Sequence, residues 1–259
     1  MKHNVRIQFI ALYTVVRHEM ARMFRISVQS FLPSVITTLL YFSIFGAVIG
    51  QQMREIEGLA YSTFIAPGLV MIAVITNAYS NSSSSLFSAR FQRSIEEVLV
   101  SPLHSTLILI GYTLGGVLRA LLVALLVLGV AAYFVDLSVI HLPATFGVIL
   151  LIACLFSLAG YTNGMLAKTY DSVMVVPTFI LSPLTYLGGV FYSISMLPPF
   201  WQHMVLLNPI FYMVELLRYV MLDHPSHHVG LALTVLCLLN IGVFGLNICL
   251  MRRGTGIRD

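Results

Sequence analysis

Apolar residues along this chain fall into six long runs separated by short polar or charged segments. The runs cover approximately residues 28–49, 59–80, 103–134, 142–166, 173–191 and 230–251. A helix needs about 20 mostly apolar residues to cross a bilayer, and each run is of that order or longer. The pattern therefore predicts an all-α integral membrane fold with six transmembrane helices, and it leaves no room for a separate soluble domain within residues 1–259.

Two further segments are apolar but are not predicted to span. In residues 1–27, apolar side chains recur at helical spacing with arginines such as Arg22 on the remaining arc, which predicts an amphipathic helix on the inner membrane surface. Residues 195–221 break into two apolar pieces that are too short to cross, with a turn at Asn208 and Pro209. These pieces predict re-entrant helices on the outer side.

The distribution of positive charge predicts the orientation. With both termini in the cytoplasm, eleven of the fourteen lysines and arginines lie on the inner side, whereas Arg54 and Arg218 lie outside. This bias agrees with the positive-inside rule. The basic residues form no stripe interleaved with aromatics, so the net charge of +4 does not indicate nucleic acid as a partner.

A short charged segment, residues 89–102, lies between the second and third runs and reads ARFQRSIEEVLVSP. On a single helix its apolar side chains share one face and its charged side chains lie opposite. Such a helix can seat its apolar face on the protein and offer its charged face to a partner. A loop resting on lipid headgroups is the alternative, although the adjacent acids Glu96 and Glu97 disfavour contact with an anionic leaflet.

Arg119 lies near the middle of the third run, where a charged side chain costs about 2.5 to 3.5 kcal/mol on insertion scales. It therefore needs a partner or water. It either contacts a polar or anionic group of a substrate, or pairs with a neighbouring span through a residue such as Asn163 or Tyr161. The sequence leaves both interpretations open.

Several kinds of site lack their expected sequence pattern. No glycine-rich phosphate loop, zinc-binding H-E-x-x-H motif or nucleophile elbow occurs, so we expect no ATPase site, no cofactor and no catalytic residues on this chain. The segment Asp223–His228 contains metal-ligand residue types, but a solvated loop is the simpler interpretation. No acidic residue falls within a predicted span, which argues against an ion-coupled secondary transporter.

Three long strings carry a resemblance to a known family: residues 90–103 (RFQRSIEEVLVSPL), 177–193 (PTFILSPLTYLGGVFYS) and 197–219 (LPPFWQHMVLLNPIFYMVELLRY). Through them the chain resembles, from end to end, the ABC type-2 permease family, and its YadH-like branch in particular. The resemblance implies a multi-pass subunit of the bacterial inner membrane with the type-2 ABC permease fold. It also implies a second permease copy, with a homodimer expected, and a separate ABC ATPase subunit that binds ATP and Mg.

The resemblance also implies roles for individual residues. Coupling to the ATPase falls on Arg90, Phe91, Arg93, Ile95, Glu96, Glu97 and Leu99, and an outer gate on Pro199, Trp201, Asn208 and Pro209. The expected function is outward transport of an amphipathic, lipidic or drug-like substrate in contact with membrane lipid. A non-transporting membrane anchor for an ATPase, a secondary transporter and an intramembrane enzyme are the alternatives, and the sequence does not identify the cargo.

Overall fold

The computed structural model describes residues 2–25, 27–49, 55–100, 104–135, 139–225 and 229–254, and nearly all of them are helical. The main helices are α1 (Lys2–Arg25), α2 (Ser27–Tyr41, continued by a π-helix at Phe42–Ile49), α3 (Tyr61–Phe91), α4 (Ile95–Val100), α5 (Ser105–Phe134), α6 (Leu142–Leu166), α7 (Tyr170–Val176), α8 (Ser182–Tyr186), α9 (Pro199–Leu206), α10 (Pro209–Leu222) and α11 (Val229–Arg253). A π-helix at Pro177–Leu181 joins α7 to α8, a 3-10 turn covers Ile194–Met196, and strands β1 (Glu55–Ile56) and β2 (Leu59–Ala60) form a small antiparallel hairpin. The predicted all-α integral membrane fold is confirmed.

Five of the described helices are long and apolar enough to cross a membrane: Val28–Gly46, Tyr61–Phe91, Ser105–Phe134, Leu142–Leu166 and Val229–Arg253. A sixth candidate is the pair α9 and α10, which are bent by 84° at the break between them. The same geometry suits either a broken span or a re-entrant loop. We call the end of the bundle that holds α4 the α4 end, and the opposite end, which holds α9, the α9 end.

The run predicted as span 173–191 is interrupted and shorter than expected. Helical structure begins at Tyr170, after Thr169 and Ser172 form a reciprocal capping box, and ends at Tyr186. The chain cannot continue as a helix because Gly189 adopts a positive φ of 73°. At 1.5 Å per residue the helical part is about 25 Å long, which is less than the roughly 30 Å of a hydrocarbon core.

Helix α3 forms the centre of the bundle and packs closely against α5 and α6. Its polar side chains are satisfied within the bundle, since Ser82 Oγ lies 2.5 Å from Ser157 Oγ. Close approach depends on glycine, because a Cβ at Gly160 would overlap the Tyr79 carbonyl, and one at Gly164 would lie 2.6 Å from the Ser83 carbonyl oxygen. The spacing of these two glycines therefore places α6 directly on the backbone of α3.

Helix α1 packs lengthwise along α5. A Cβ at Gly111 would lie 2.7 Å from Val15, and one at Gly115 would lie 2.8 Å from Glu19, so the two glycines admit successive turns of α1. Arg22, predicted to face water, is turned toward α3 instead. The contact moves from Val15 to Glu19 on α1 as it moves from Gly111 to Gly115 on α5, so the two helices run in the same direction. Contacts with α5 and α3 therefore hold α1.

Candidate functional site

The charged segment between the second and third runs is not a single helix. Helix α3 continues through Phe91, a turn follows at residues 92–94, and α4 begins at Ile95. Arg93 lies in this turn with a positive φ of 58°, so the chain changes direction there. The prediction of one helix over residues 89–102 was wrong at this point, and residues 101–103 lie outside the described chain.

Helix α4 is nevertheless anchored on one side and free on the other. Ile95 is only 3% exposed and packs in a cluster with Leu86, Leu109 and Tyr161. Glu96 and Glu97 are exposed. The result is a short helix with a fixed base and an acidic outer face.

Two more of the residues to which the resemblance assigned coupling flank this helix. Phe91 is 66% exposed, and its ring centroid lies 5.3 Å from that of Tyr170 at the start of α7. Arg93 is exposed in the turn. The side chain of Leu99 lies outside the described side chains. The described residues of the set thus lie together at the α4 end.

Arg90 makes contacts within the chain rather than facing outward. Its Nη1 donates hydrogen bonds to the carbonyl oxygens of Gly164 at 2.9 Å, Met165 at 2.6 Å and Ala167 at 3.1 Å. The first two carbonyls belong to the last turn of α6 and the third to its C-cap residue, where no intrahelical donors remain. Arg90 therefore closes the end of α6, which the helical spacing alone could not reveal.

A cavity of about 330 Å³ lies between α1, the last turns of α3 and α4. Its lining includes His18, Glu19, Ser88, Gln92 and Glu97. The cavity separates part of the acidic helix α4 from α1.

Five polar side chains from α1, α3 and α5 meet inside the bundle, and we call them the buried polar cluster: Glu19, Arg22, Asn81, Ser85 and Arg119. Glu19 is 3% exposed, accepts a hydrogen bond from Ser85 Oγ at 2.6 Å and pairs with Arg22 at 3.1 Å. Arg22 Nη2 also donates to Asn81 Oδ1 at 3.1 Å. The sequence reasoning missed Glu19 as a buried acid, although the spacing of Gly111 and Gly115 was a signal of a helix packed closely on α5.

Arg119 lies in this cluster and does not make the contacts predicted for it. Its Nη1 donates to Asn81 Oδ1 at 3.4 Å and its Nη2 to the Ser30 carbonyl oxygen at 3.4 Å. The proposed partners Asn163 and Tyr161 were wrong, since each donates its hydrogen bond elsewhere. Arg119 thus contacts neighbouring helices, but through α2 and α3 rather than α6.

At the α9 end, the residues to which the resemblance assigned an outer gate differ in exposure. Asn208 is 3% exposed, and it caps α10 because its Oδ1 accepts from the Ile210 amide at 3.0 Å. Its Nδ2 donates to the Leu184 carbonyl oxygen at 2.6 Å, which ties α10 to α8. Pro209 is the first residue of α10, while Pro199 and Trp201 are exposed on α9. Asn208 and Pro209 therefore set the bend, and Trp201 lies at the surface.

A buried arginine holds the α9 end together. Arg218 is 2% exposed, donates to Glu215 at 2.6 Å and to the Gly189 carbonyl oxygen at 3.0 Å, and lies 3.8 Å above the ring of Phe64. These contacts join α10 to α3 and to the loop after α8. Unlike Arg119, Arg218 is neutralised by an acid one turn away.

The polar loop after α10 contains part of the predicted histidine-rich segment. Asp223 caps α10 in the left-handed conformation, and its Oδ1 lies 3.9 Å from His141 Nε2. His224 Nε2 lies 3.5 Å from Glu57 Oε2. Residues 226–228 lie outside the described chain. Among the residues that the structure covers, no group of three potential ligands is arranged to hold a metal ion.

Comparison with known proteins identifies the family. Residues 10–222 match the model of the ABC-2 type transporter family. The chain is 45% identical over 255 residues to the inner membrane transport permease YadH of Escherichia coli strain K12, covering 98% of this chain and 100% of that one. It is also 29% identical over 210 residues to nodulation protein J of Sinorhizobium fredii, covering 80% of each chain. The family implies an ABC ATPase as partner, and this chain belongs to the ABC-2 type transporter family as an inner membrane, multi-pass permease subunit.

Proposed function

We propose that this permease exports an amphipathic, lipidic or drug-like substrate, using ATP and Mg bound on a separate ATPase subunit. Two copies of the chain would form the transmembrane part, with both termini and the α4 end in the cytoplasm. In this arrangement ATP binding draws the ATPase subunits together, and α4 passes that motion to the spans as a rigid element. The outer gate is assigned to the α9 end.

The observation that carries the proposal is the division of α4 into an anchored side and a free side. Ile95 fixes the helix on the bundle, and Glu96 and Glu97 project from it. A helix that only rested on an anionic membrane surface would place basic rather than acidic residues outward. A free acidic face suits a protein partner that provides basic residues.

The test is ATP hydrolysis by the complex of this permease with its ATPase in bilayer discs. We expect the charge reversal Glu97→Arg to abolish the change in hydrolysis that the wild-type permease causes, while the helices stay folded. Glu55→Arg makes the same reversal on the exposed hairpin at the opposite end and serves as the control. Unaltered coupling in a well-folded Glu97→Arg complex would contradict the proposed role of α4.

A further inference from the structure

Glu57, at the tip of the β1–β2 hairpin, joins three segments of the α9 end that are far apart in sequence. Its Oε1 accepts a hydrogen bond from Ser193 Oγ in the loop after α8. Its Oε2 lies 3.5 Å from His224 Nε2 in the loop after α10, and the same nitrogen lies 3.4 Å from the Glu57 carbonyl oxygen. One residue of the hairpin thus ties together two loops that do not adjoin it in sequence.

The backbone of Glu57 is unusual for a glutamate. Glu57 and Gly58 form the two-residue turn of the hairpin, and both have positive φ, at 52° and 79°. Turns of this kind favour Asn or Asp before Gly, because other residues are strained in the left-handed conformation. A glutamate held there, whose side chain makes contacts beyond the turn, points to a role other than forming the hairpin.

Ser193 connects Glu57 to the helix to which the outer gate is assigned. Ser193 is 3% exposed, and its Oγ accepts from the Ser195 amide at 3.3 Å at the start of the 3-10 turn. Helix α9 begins three residues after that turn, at Pro199. Within α9, whose residues are all described, Val205 alone is buried, so few contacts of its own hold this helix. The bond between Glu57 and Ser193 therefore fixes the segment that enters α9.

The loop after α8 is fixed at its start and releasable further along. Arg218 donates to the Gly189 carbonyl oxygen at 3.0 Å and Tyr61 to the Phe191 carbonyl oxygen at 3.2 Å, and both donor residues are buried. The side chain of Glu57 is 35% exposed, so water can replace its bonds when it separates from its partners. The chain beyond Phe191 can thus move while residues 189–191 stay in place.

We propose that Glu57 is a latch that holds the outer gate closed and releases Ser193 and His224 when ATP binding opens the α9 end. The inference rests on the proposed function, which assigns the outer gate to this end. It adds a positioning residue outside α9 and α10, one that acts on α9 through Ser193.

The test is amide hydrogen exchange of the 3-10 turn in the full-length permease with its ATPase in bilayer discs. The amides of Ser195, Met196 and Leu197 report on the turn, since they donate to Ser193 Oγ and to the carbonyl oxygens of Ser193 and Ile194. Exchange is measured without nucleotide and after trapping with ATP and vanadate. In wild type we expect faster exchange in the trapped complex.

The variant Glu57→Asn separates the latch from the fold of the hairpin. Asparagine favours positive φ and so preserves the turn, but its side chain is uncharged and one methylene shorter. We expect exchange without nucleotide to rise about tenfold, because a charge-assisted hydrogen bond is lost. Trapping should then add little, because the latch is already open.

Two controls make the result specific. Glu57→Gln keeps the length and an acceptor for Ser193, so the rise should be smaller. Glu55→Gln changes an exposed glutamate on the same hairpin and should leave exchange unchanged.

Three results would overturn the proposal. Wild-type exchange in nucleotide-free Glu57→Asn would show that the bonds hold nothing closed. An equal rise in both nucleotide states would make Glu57 a static brace. Exchange in wild type that does not respond to trapping would mean that the latch stays closed, whereas coupling to the ATPase is judged separately by hydrolysis in Glu97→Arg.

Discussion

Replacing Arg90 should destabilise the permease even though the residue lies in the segment predicted to contact the ATPase. In the structure its guanidinium closes the last turn of α6, where the carbonyls of Gly164, Met165 and Ala167 all accept from Nη1. In Arg90→Ala these carbonyls lose a charged donor. The favourable interaction of that charge with the negative end of the helix dipole is lost as well.

The magnitude follows from the geometry of the contact. One hydrogen bond from a charged donor contributes about 1.5 to 3 kcal/mol net, and the three contacts share the two hydrogens of one nitrogen. Arg90 is partly exposed, so water compensates for part of the loss. We therefore expect Arg90→Ala to lower the free energy of unfolding by about 2 kcal/mol, which corresponds to a fall in Tm of about 4 to 8 °C for a chain of this size.

The assay is thermal unfolding of the purified permease in detergent, with Arg93→Ala as the control. Arg93 lies in the exposed turn three residues later, and its side chain forms none of the bonds that close α6. We expect Arg93→Ala to shift Tm by less than about 2 °C, as surface substitutions usually do. A Tm for Arg90→Ala within 1 °C of wild type would refute the assignment of Arg90 as the cap of α6.

Two further substitutions test packing and capping. Gly160→Val should destabilise the chain by about 1 to 3 kcal/mol, because its side chain would overlap the Tyr79 carbonyl. The control, Gly147→Val, changes a position on the same helix with open space around it and should be tolerated. Equal expression and equal Tm of the two variants would contradict this prediction. Asn208→Ala should cost about 0.5 to 2 kcal/mol through loss of the α10 cap, measured as a fall in Tm, and an unchanged Tm would show that the cap and the bond to Leu184 contribute little.

Much of the helical architecture could be predicted because it depends on the length and spacing of apolar runs. Membrane spans must satisfy their backbone hydrogen bonds internally, so a long apolar run becomes a helix irrespective of its neighbours. The anchored position of Ile95 and the exposure of Glu96 and Glu97 also follow from local spacing. These features required no knowledge of which helices are adjacent.

Predictions that depended on tertiary neighbours were less successful. Periodicity assigned residues 89–102 to one helix, since it cannot detect the positive φ of Arg93. Periodicity also predicted that Arg22 faces water. An amphipathic pattern distinguishes the two faces of a helix, but it does not show whether water or another helix covers the polar face. The partners of Arg119 could not be selected without knowing that α2 and α3, rather than α6, lie beside it.

These distinctions decide which residue can report on coupling to the ATPase. A loss of coupled hydrolysis in an Arg90 variant would have two explanations, since the same side chain closes α6 and lies next to the proposed contact surface. A loss of coupled hydrolysis in a Glu97 variant would have only one explanation, because Glu97 is exposed, lines a cavity and forms no ion pair within the described chain. If Glu97→Arg uncouples hydrolysis at an unchanged Tm while Arg90→Ala lowers both, the acidic face of α4 is the contact surface and Arg90 maintains the structure beneath it.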